Sequence, residues 1–329
     1  MRANSIVVIL RKILPMFRST LVLLLPIFAF LFLSGCTQPE KVFGAKDLAI
    51  ESSEIKIAGK PRVLTNEFKA YWFAGTAEIT SYELMQERYG ELRKGTAVTV
   101  FVSEDFLPGT QVKAEQSRKE TIPVLKLNST KKFLTGIYPY SIMTSAFSPI
   151  TKKDHAIKLS TSVQEWCGQV YMQLNNRSKF EFVGHSYFEG DADQKASLDK
   201  TWLEDELWNL IRINPEDLPT GDITIIPSLE FHRMRHKKFA VQNAVASLKQ
   251  GDSISTYLLK YPELERELKI YFNSSFPFEI EKWEETNSAW GNNQRLTTTA
   301  TRMNRIKNAY WSRNSNADVA LRDSLSLNP

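Results

Sequence analysis

The sequence predicts a mainly β (α+β) protein: a large curved antiparallel sheet or half-barrel, with one central amphipathic helix and a short C-terminal helix. Three observations carry this. Several stretches alternate apolar and polar residues with period two, which is how half-buried antiparallel strands read. Turn-forming pairs recur at close intervals between those stretches. Only one long segment carries the 3.6-residue period of a helix.

The strand segments follow in order. From about Val63 the chain turns to strand-like language. Ala97 to Val102 is β-branched and aromatic, and Ile157, Leu159, Thr161, Val163 and Glu165 alternate with polar residues. Val170, Met172 and Leu174 continue that alternation, as do Phe180 and Phe182, then Leu268, Ile270 and Phe272, with Phe278 and Ile280 after them. Turn signals fall at Tyr89-Gly90, Lys94-Gly95, Pro108-Gly109, Asn175-Asn176, Gly190-Asp191, Thr220-Gly221, Gly251-Asp252 and Asn273-Ser274. Asn287 to Asn293 reads as a long turn.

The helical segment is Ser197 to Asn214, with Leu203, Leu207, Leu210 and Ile211 on one face. Ser197 or Asp199 would cap it and Pro215 would stop it. Glu204, Asp205 and Glu206 read as its solvated side. A second short helix is expected from Asp318 to Leu325. The aromatic girdles of a membrane-spanning barrel are missing from the alternation.

The N-terminus reads as an address. Leu21 to Leu33 is an apolar run of 13 residues, against about 20 for a membrane-spanning helix. Arg18 precedes it, and Leu33-Ser34-Gly35-Cys36 follows. This string resembles the bacterial lipobox, which implies cleavage before Cys36 and a thioether-linked lipid on its sulfur. Met16 gives a start of the usual signal length. The expected organisation is a signal peptide over 1–35, a lipidated cysteine and tether over 36–62, and a single β-rich domain over 63–329. Thr37 after the cysteine favours the outer membrane, with the domain facing the periplasm.

The chain holds 42 basic and 37 acidic side chains. Arg2, Arg11, Lys12 and Arg18 lie in the leader, so 38 basic face 37 acidic in the remainder. That near-neutral balance gives no reason to expect a nucleic-acid partner.

The chemistry is sparse. No phosphate-binding glycine loop and no nucleophile elbow occur, and no cofactor or metal is expected. Glu165-Trp166-Cys167 is the most unusual short string. Its favoured reading is a core cysteine, a tryptophan packed on the opposite face and a bulge at Gly168; the alternative is a nucleophile with Glu165 as acid–base neighbour, served by a histidine arriving through space. His232 and His236 stand four apart, but the preceding SLEF reads as a strand, and the surrounding charge opposes a metal ion. Arg233, Arg235, Lys237 and Lys238 form a basic patch able to touch anionic headgroups. Trp208, Trp283, Trp290 and Trp311 read as packing residues, with one of them in a binding groove.

The strings TAEITSYELMQERYGELRKGTAVTVFVSEDF, GIYPYSIMTSAFSPI, TSVQEWCGQVYMQL and LEDELWNLIRINPEDLPTG resemble a family of uncharacterised Bacteroidota lipoproteins labelled "septum formation inhibitor Maf". The resemblance implies a lipid-anchored envelope protein with a role at the septum. The Ser-x-Ser-Pro-Arg-Arg motif of the Maf nucleotide pyrophosphatases is absent, so no catalytic residue carries over. A looser likeness is to periplasmic lipoprotein-carrier half-barrels, which hold acyl chains. The expected function is a non-enzymatic envelope lipoprotein that binds an apolar ligand or an envelope protein on the inner face of its curved sheet. The alternatives are an envelope hydrolase using Cys167 and Glu165, and a septum-related role.

Overall fold

The computed structural model describes residues 59–288 and 295–327. The strands are β1 (Lys60–Pro61), β2 (Ala77–Arg88), β3 (Glu91–Leu107), β4 (Val112–Lys113), β5 (Ile122–Thr135), β6 (Tyr138–Pro149), β7 (Lys152–Lys153), β8 (Lys158–Glu165), β9 (Gly168–Asn176), β10 (Phe180–Ser186), β11 (Gln194–Leu198), β12 (Trp202–Leu203), β13 (Gly221–Ile226), β14 (Gln242–Lys249), β15 (Ile254–Tyr261), β16 (Arg266–Asn273), β17 (Ile280–Ser288) and β18 (Arg295–Asn308). The α-helices are α1 (Asn66–Trp72), α2 (Glu204–Ile213) and α3 (Leu229–Arg235), and a 3-10 helix spans Asn316–Leu325.

The strands form one 16-stranded sheet in the order β11-β10-β9-β8-β6-β5-β3-β2-β18-β17-β16-β15-β14-β13-β12, with β4 paired to β3; β1 and β7 make a separate two-stranded piece. Nearly all pairings are antiparallel, and the strand alternation read from the sequence lies within these strands, except at Ile157, one residue ahead of β8, and at Phe278, between β16 and β17. The exception is β12, which runs parallel to β13. The two ends of the sheet are neighbours in sequence: β11 ends at Leu198 and β12 starts at Trp202. Four peptide steps span at most about 14 Å, so the sheet must curl until its edges nearly meet. It stays open along that seam.

Local chemistry explains the hairpins. Tyr89 and Gly90 both take positive φ, 56° and 75°, the conformation of a two-residue type I′ turn between twisted strands. Lys94-Gly95 is not a turn; it lies inside β3. A Cβ on Gly95 would stand 2.2 Å from the Lys132 carbonyl oxygen and 2.7 Å from the Phe133 Cβ. The glycine is there because β3 and β5 approach closely.

The helices correct several expectations. Ser197 belongs to β11, and α2 begins only at Glu204. Its N-cap is Leu203, whose backbone N–H donates to the Glu206 carboxylate at 3.1 Å; Asn214 ends it before Pro215. The segment over SLEF is not a strand: Ser228 caps α3 by accepting from the Phe231 N–H at 3.0 Å. α1 carries the same signal, Thr65 accepting from Phe68 N–H, but its two turns are too short to show a period. Lys60 and Pro61 pair with β7, so ordered pairing starts ahead of Val63. The C-terminal helix is a 3-10 helix. The long turn over Asn287 to Asn293 falls largely outside the described residues.

The concave side of the sheet is filled. All of α2 is buried apart from a partly exposed Trp208. Leu203, Leu207, Leu210 and Ile211 join a core that draws on both halves of the sheet. Asn209 donates to the carbonyls of Leu125 and Ala146 and to the Ser148 hydroxyl. Trp283 packs edge-on against Tyr82 and Trp208, whereas Trp311 is exposed and does not pack as expected. Trp290 lies outside the described residues. No helix among the described residues is long and apolar enough to cross a membrane.

Candidate functional site

α2 is charged along its length; Glu204, Glu206 and Arg212 meet side-chain partners from strands and loops, and Asp205 meets a backbone N–H of α3. Glu204 takes a two-pronged pair from Arg266 and a hydrogen bond from Tyr261 at 2.5 Å. Glu206 accepts from His155 Nδ1 at 2.8 Å and from the Ala156 N–H at 2.5 Å. Arg212 holds both oxygens of Glu78 at 2.5 and 2.6 Å, with side chains 0% and 1% exposed. Burial pushes the Glu78 carboxyl up, but the Arg212 guanidinium outweighs it and the pKa falls below the ordinary range. Glu285 behaves likewise, held at about 2 by Arg266 and Lys131 against its burial. Asp205 has a single backbone donor, the Leu229 N–H at 3.0 Å. Burial dominates there and lifts its pKa to about 7. The three acids expected on a solvated face are thus all buried. The side-chain partners of Glu204 and Glu206 lie about 50 residues or more away in sequence, at His155, Arg266 and Tyr261, and the one donor to Asp205 is 24 residues away.

The spaces beside these groups are small. About 40 Å³ lies among Lys131, Glu204, Asp205, Glu230 and Glu285. About 20 Å³ lies beside His232, Arg233 and Phe239. Volumes of this size suit one or a few waters.

The larger openings are outside. One, of about 560 Å³, lies on the seam and is lined by Arg62, Lys153 to His155, Lys200 to Trp202, Leu210, Asp217 and Asp222 to Thr224. Arg62 builds its lip. Its guanidinium donates to the carbonyls of Pro149, Ile150 and Lys152 and to Asp217 at 2.9 Å. Lys153 donates to the other Asp217 oxygen. Burial raises the Asp217 carboxyl, but these two cations hold it below its usual range. His155 bridges the seam: its ring meets Phe180 of β10 at 5.6 Å and Trp202 of β12 at 5.3 Å. Burial lowers the His155 pKa, yet Glu206 beside it prevails and the imidazole is raised toward the charged form. The first described residue, Gly59, lies at this lip. A Cβ on Gly59 would lie 2.0 Å from the Lys153 carbonyl oxygen, so only glycine fits.

The second opening, about 670 Å³, includes Cys167, Gly168, Gln169, Tyr171, His185, Tyr187 and Asp193. It lies at the opposite rim, at the β8–β9 hairpin. Here the sequence reading is overturned. Cys167 is exposed rather than buried, and Trp166 is 69% exposed rather than packed. Both occupy the two-residue turn closed by the Glu165–Gly168 pair, so residues 165 and 167 do not share a strand face. Gly168 gives no bulge; it leaves room for the Tyr187 ring, which a Cβ would meet at 2.8 Å. Glu165 accepts from the Cys167 N–H at 2.6 Å and faces Arg233 at 3.7 Å. Its hydrogen bond and charge raise the Cys167 pKa, the opposite of what activates a thiol. His185 does come to the same cleft, paired with Asp193 at 3.3 Å.

The basic patch is divided. Arg233 is buried over the Phe188 ring at 4.2 Å, and Arg235 pairs with Glu87. Only Lys237 and Lys238 of the four are exposed. His232 is buried, its pKa lowered to about 4 by burial, while His236 reaches Asp191 at 3.0 Å. No group of three or more potential metal ligands occurs among the described residues.

The fold and its openings define a class: a curled β-shell, open along one seam and filled by a helix. No family model matches the sequence, and no curated protein matches it. Among solved structures it is similar to a β-barrel-like protein of the domain of unknown function DUF1849 from Brucella abortus. The identity is 6%, with 70% of this chain and 98% of that chain covered, and the TM-score is 0.41. It is also similar to a porin-like protein from Bacteroides uniformis, at 9% identity, 69% and 96% coverage and a TM-score of 0.21. Neither likeness bears on function.

Proposed function

We propose that the protein is a lipid-anchored, non-catalytic envelope protein that binds its ligand or partner in the seam cleft, not within the sheet. The observation that carries this is the filled concave side: α2 and its ion pairs occupy the space in which a carrier would hold an acyl chain. An open polar and aromatic cleft remains along the seam. With lipid on Cys36, the 23 residues to Gly59 span at most about 80 Å, so the cleft works close to the outer membrane, on its periplasmic side.

Two experiments test the reading. Cys36→Ser is expected to move the protein from the membrane fraction to the soluble fraction and to abolish palmitate labelling; a protein that stays membrane-bound removes the anchor. Native mass spectrometry of the full chain is expected to reveal a bound mass that Trp202→Ala loses. A mass that survives this change places binding elsewhere.

A further inference from the structure

The unused hydrogen-bonding capacity of β13 lies beside the seam cleft. β13 spans Gly221–Ile226 and pairs with β14 from Gly221 to Ile225. On its other side the ladder to β12 covers only Ile225 and Ile226. Thr224 turns its carbonyl toward the seam, where the Thr201 hydroxyl donates to it at 2.5 Å. In an extended strand, alternate residues point both backbone groups to the same side. The N–H and C=O of Asp222 therefore face the seam as well, beyond the reach of the β12 ladder. Such an edge is a template for another strand. The usual guards are weak here, because β12 is only two residues long and the cleft leaves about 560 Å³ beside the edge.

The lining describes what would lie there. Trp202 and Leu210 supply an apolar floor, and Lys200 stands exposed at the mouth. An acyl chain would leave the Asp222 backbone groups desolvated and unpaired, which is unfavourable. A peptide backbone satisfies them.

We propose that the seam cleft takes an extended peptide from a partner protein, which adds as a strand to the free edge of β13, with an apolar side chain on Trp202 and an acidic one toward Lys200. The proposal rests on the seam cleft being the binding site and names its partner class. Main-chain bonds would give affinity, and the floor and Lys200 would give selectivity.

The test is selection of linear peptides from a phage-displayed library on the full chain in detergent micelles. Enriched peptides should bind Trp166→Ala, at the far rim and exposed, within about twofold of the unchanged protein. Asp222→Pro, which removes the N–H at an edge position that tolerates proline, should weaken them about tenfold, the equivalent of one well-made bond. Should Asp222→Pro fail to fold, N-methylation of alternate peptide residues reads the same bonds without touching the protein. Peptides that bind the proline variant or their N-methylated forms equally well overturn the proposal, as does a library that yields none. If none is enriched but a small mass is lost with Trp202→Ala, the cleft stands as a binding site and the peptide does not. If neither is seen, both readings fall.

Discussion

The first turn of α2 and the β8–β9 hairpin each hold a nearly fully buried carboxylate, but the two regions use it differently. In α2, Glu204 and Glu206 are matched by cations and donors from distant segments, and Asp205 alone is left with burial as its main influence. In the hairpin, Glu165 turns back on its own loop, tying the Cys167 N–H and keeping the neighbouring thiol neutral. Ionic side chains inside the shell fix how the sheet wraps the helix. At the rim they shape a turn whose apolar tip stays in water. Stability is expected to depend on the first region and surface reactivity on the second.

The largest break in that comparison is the Glu78–Arg212 pair. Glu78→Leu leaves a buried guanidinium without its carboxylate and should cost about 3–5 kcal/mol in urea unfolding. Combining it with Arg212→Met should recover a large part of that loss. A double variant as unstable as the sum of the singles would show that the pair is not a unit.

Asp205 gives a pH-dependent version. Its folded pKa of about 7 lies above the ordinary 3.8, so the folded state holds the proton more tightly than the unfolded state. Wild-type stability should therefore fall as pH rises from about 4 to 7. Asp205→Asn, which can still accept from Leu229 N–H, removes this dependence. Its advantage over wild type should grow across that window, to on the order of 4 kcal/mol. A constant difference between pH 4.5 and 7.5 would sink the assignment.

Two glycines sharpen the contrast at lower cost. Gly95→Ala drives a methyl group into the backbone of β5 and should destabilise by about 1–3 kcal/mol. Gly168→Ala meets the ring and the Cβ of the exposed Tyr187, a surface side chain and not the backbone of a neighbouring strand, so the loss should stay below about 1 kcal/mol. Equal effects would contradict the distinction between interior and rim.

The smallest effects belong to the hairpin tip. Trp166→Ala should leave the unfolding midpoint within about 0.5 kcal/mol of wild type. Glu165→Gln should speed thiol alkylation of Cys167 at neutral pH about threefold or more. No change would mean that Glu165 does not govern the thiol. Hydrolytic activity lost on Cys167→Ser would instead restore the hydrolase alternative.

Period-two alternation and turn chemistry were enough to read a curved antiparallel sheet with one helix, because each strand writes its buried face locally. The lipobox resemblance at Cys36 is equally local. What only the tertiary structure decided is which polar residues go inside. Glu204, Asp205 and Glu206 look solvated because charge in a helix is normally on the outside, and Arg266, His155 and Glu78 give no sign of being their counterparts or that of Arg212. Cys167 looks buried because cysteines usually are, yet a two-residue turn lifts it into water. The free edge of β13 is also invisible in sequence, since an unpaired strand reads like a paired one. Side-chain periodicity is a property of a few consecutive residues, whereas pairing of charges and closure of a sheet depend on where distant segments meet.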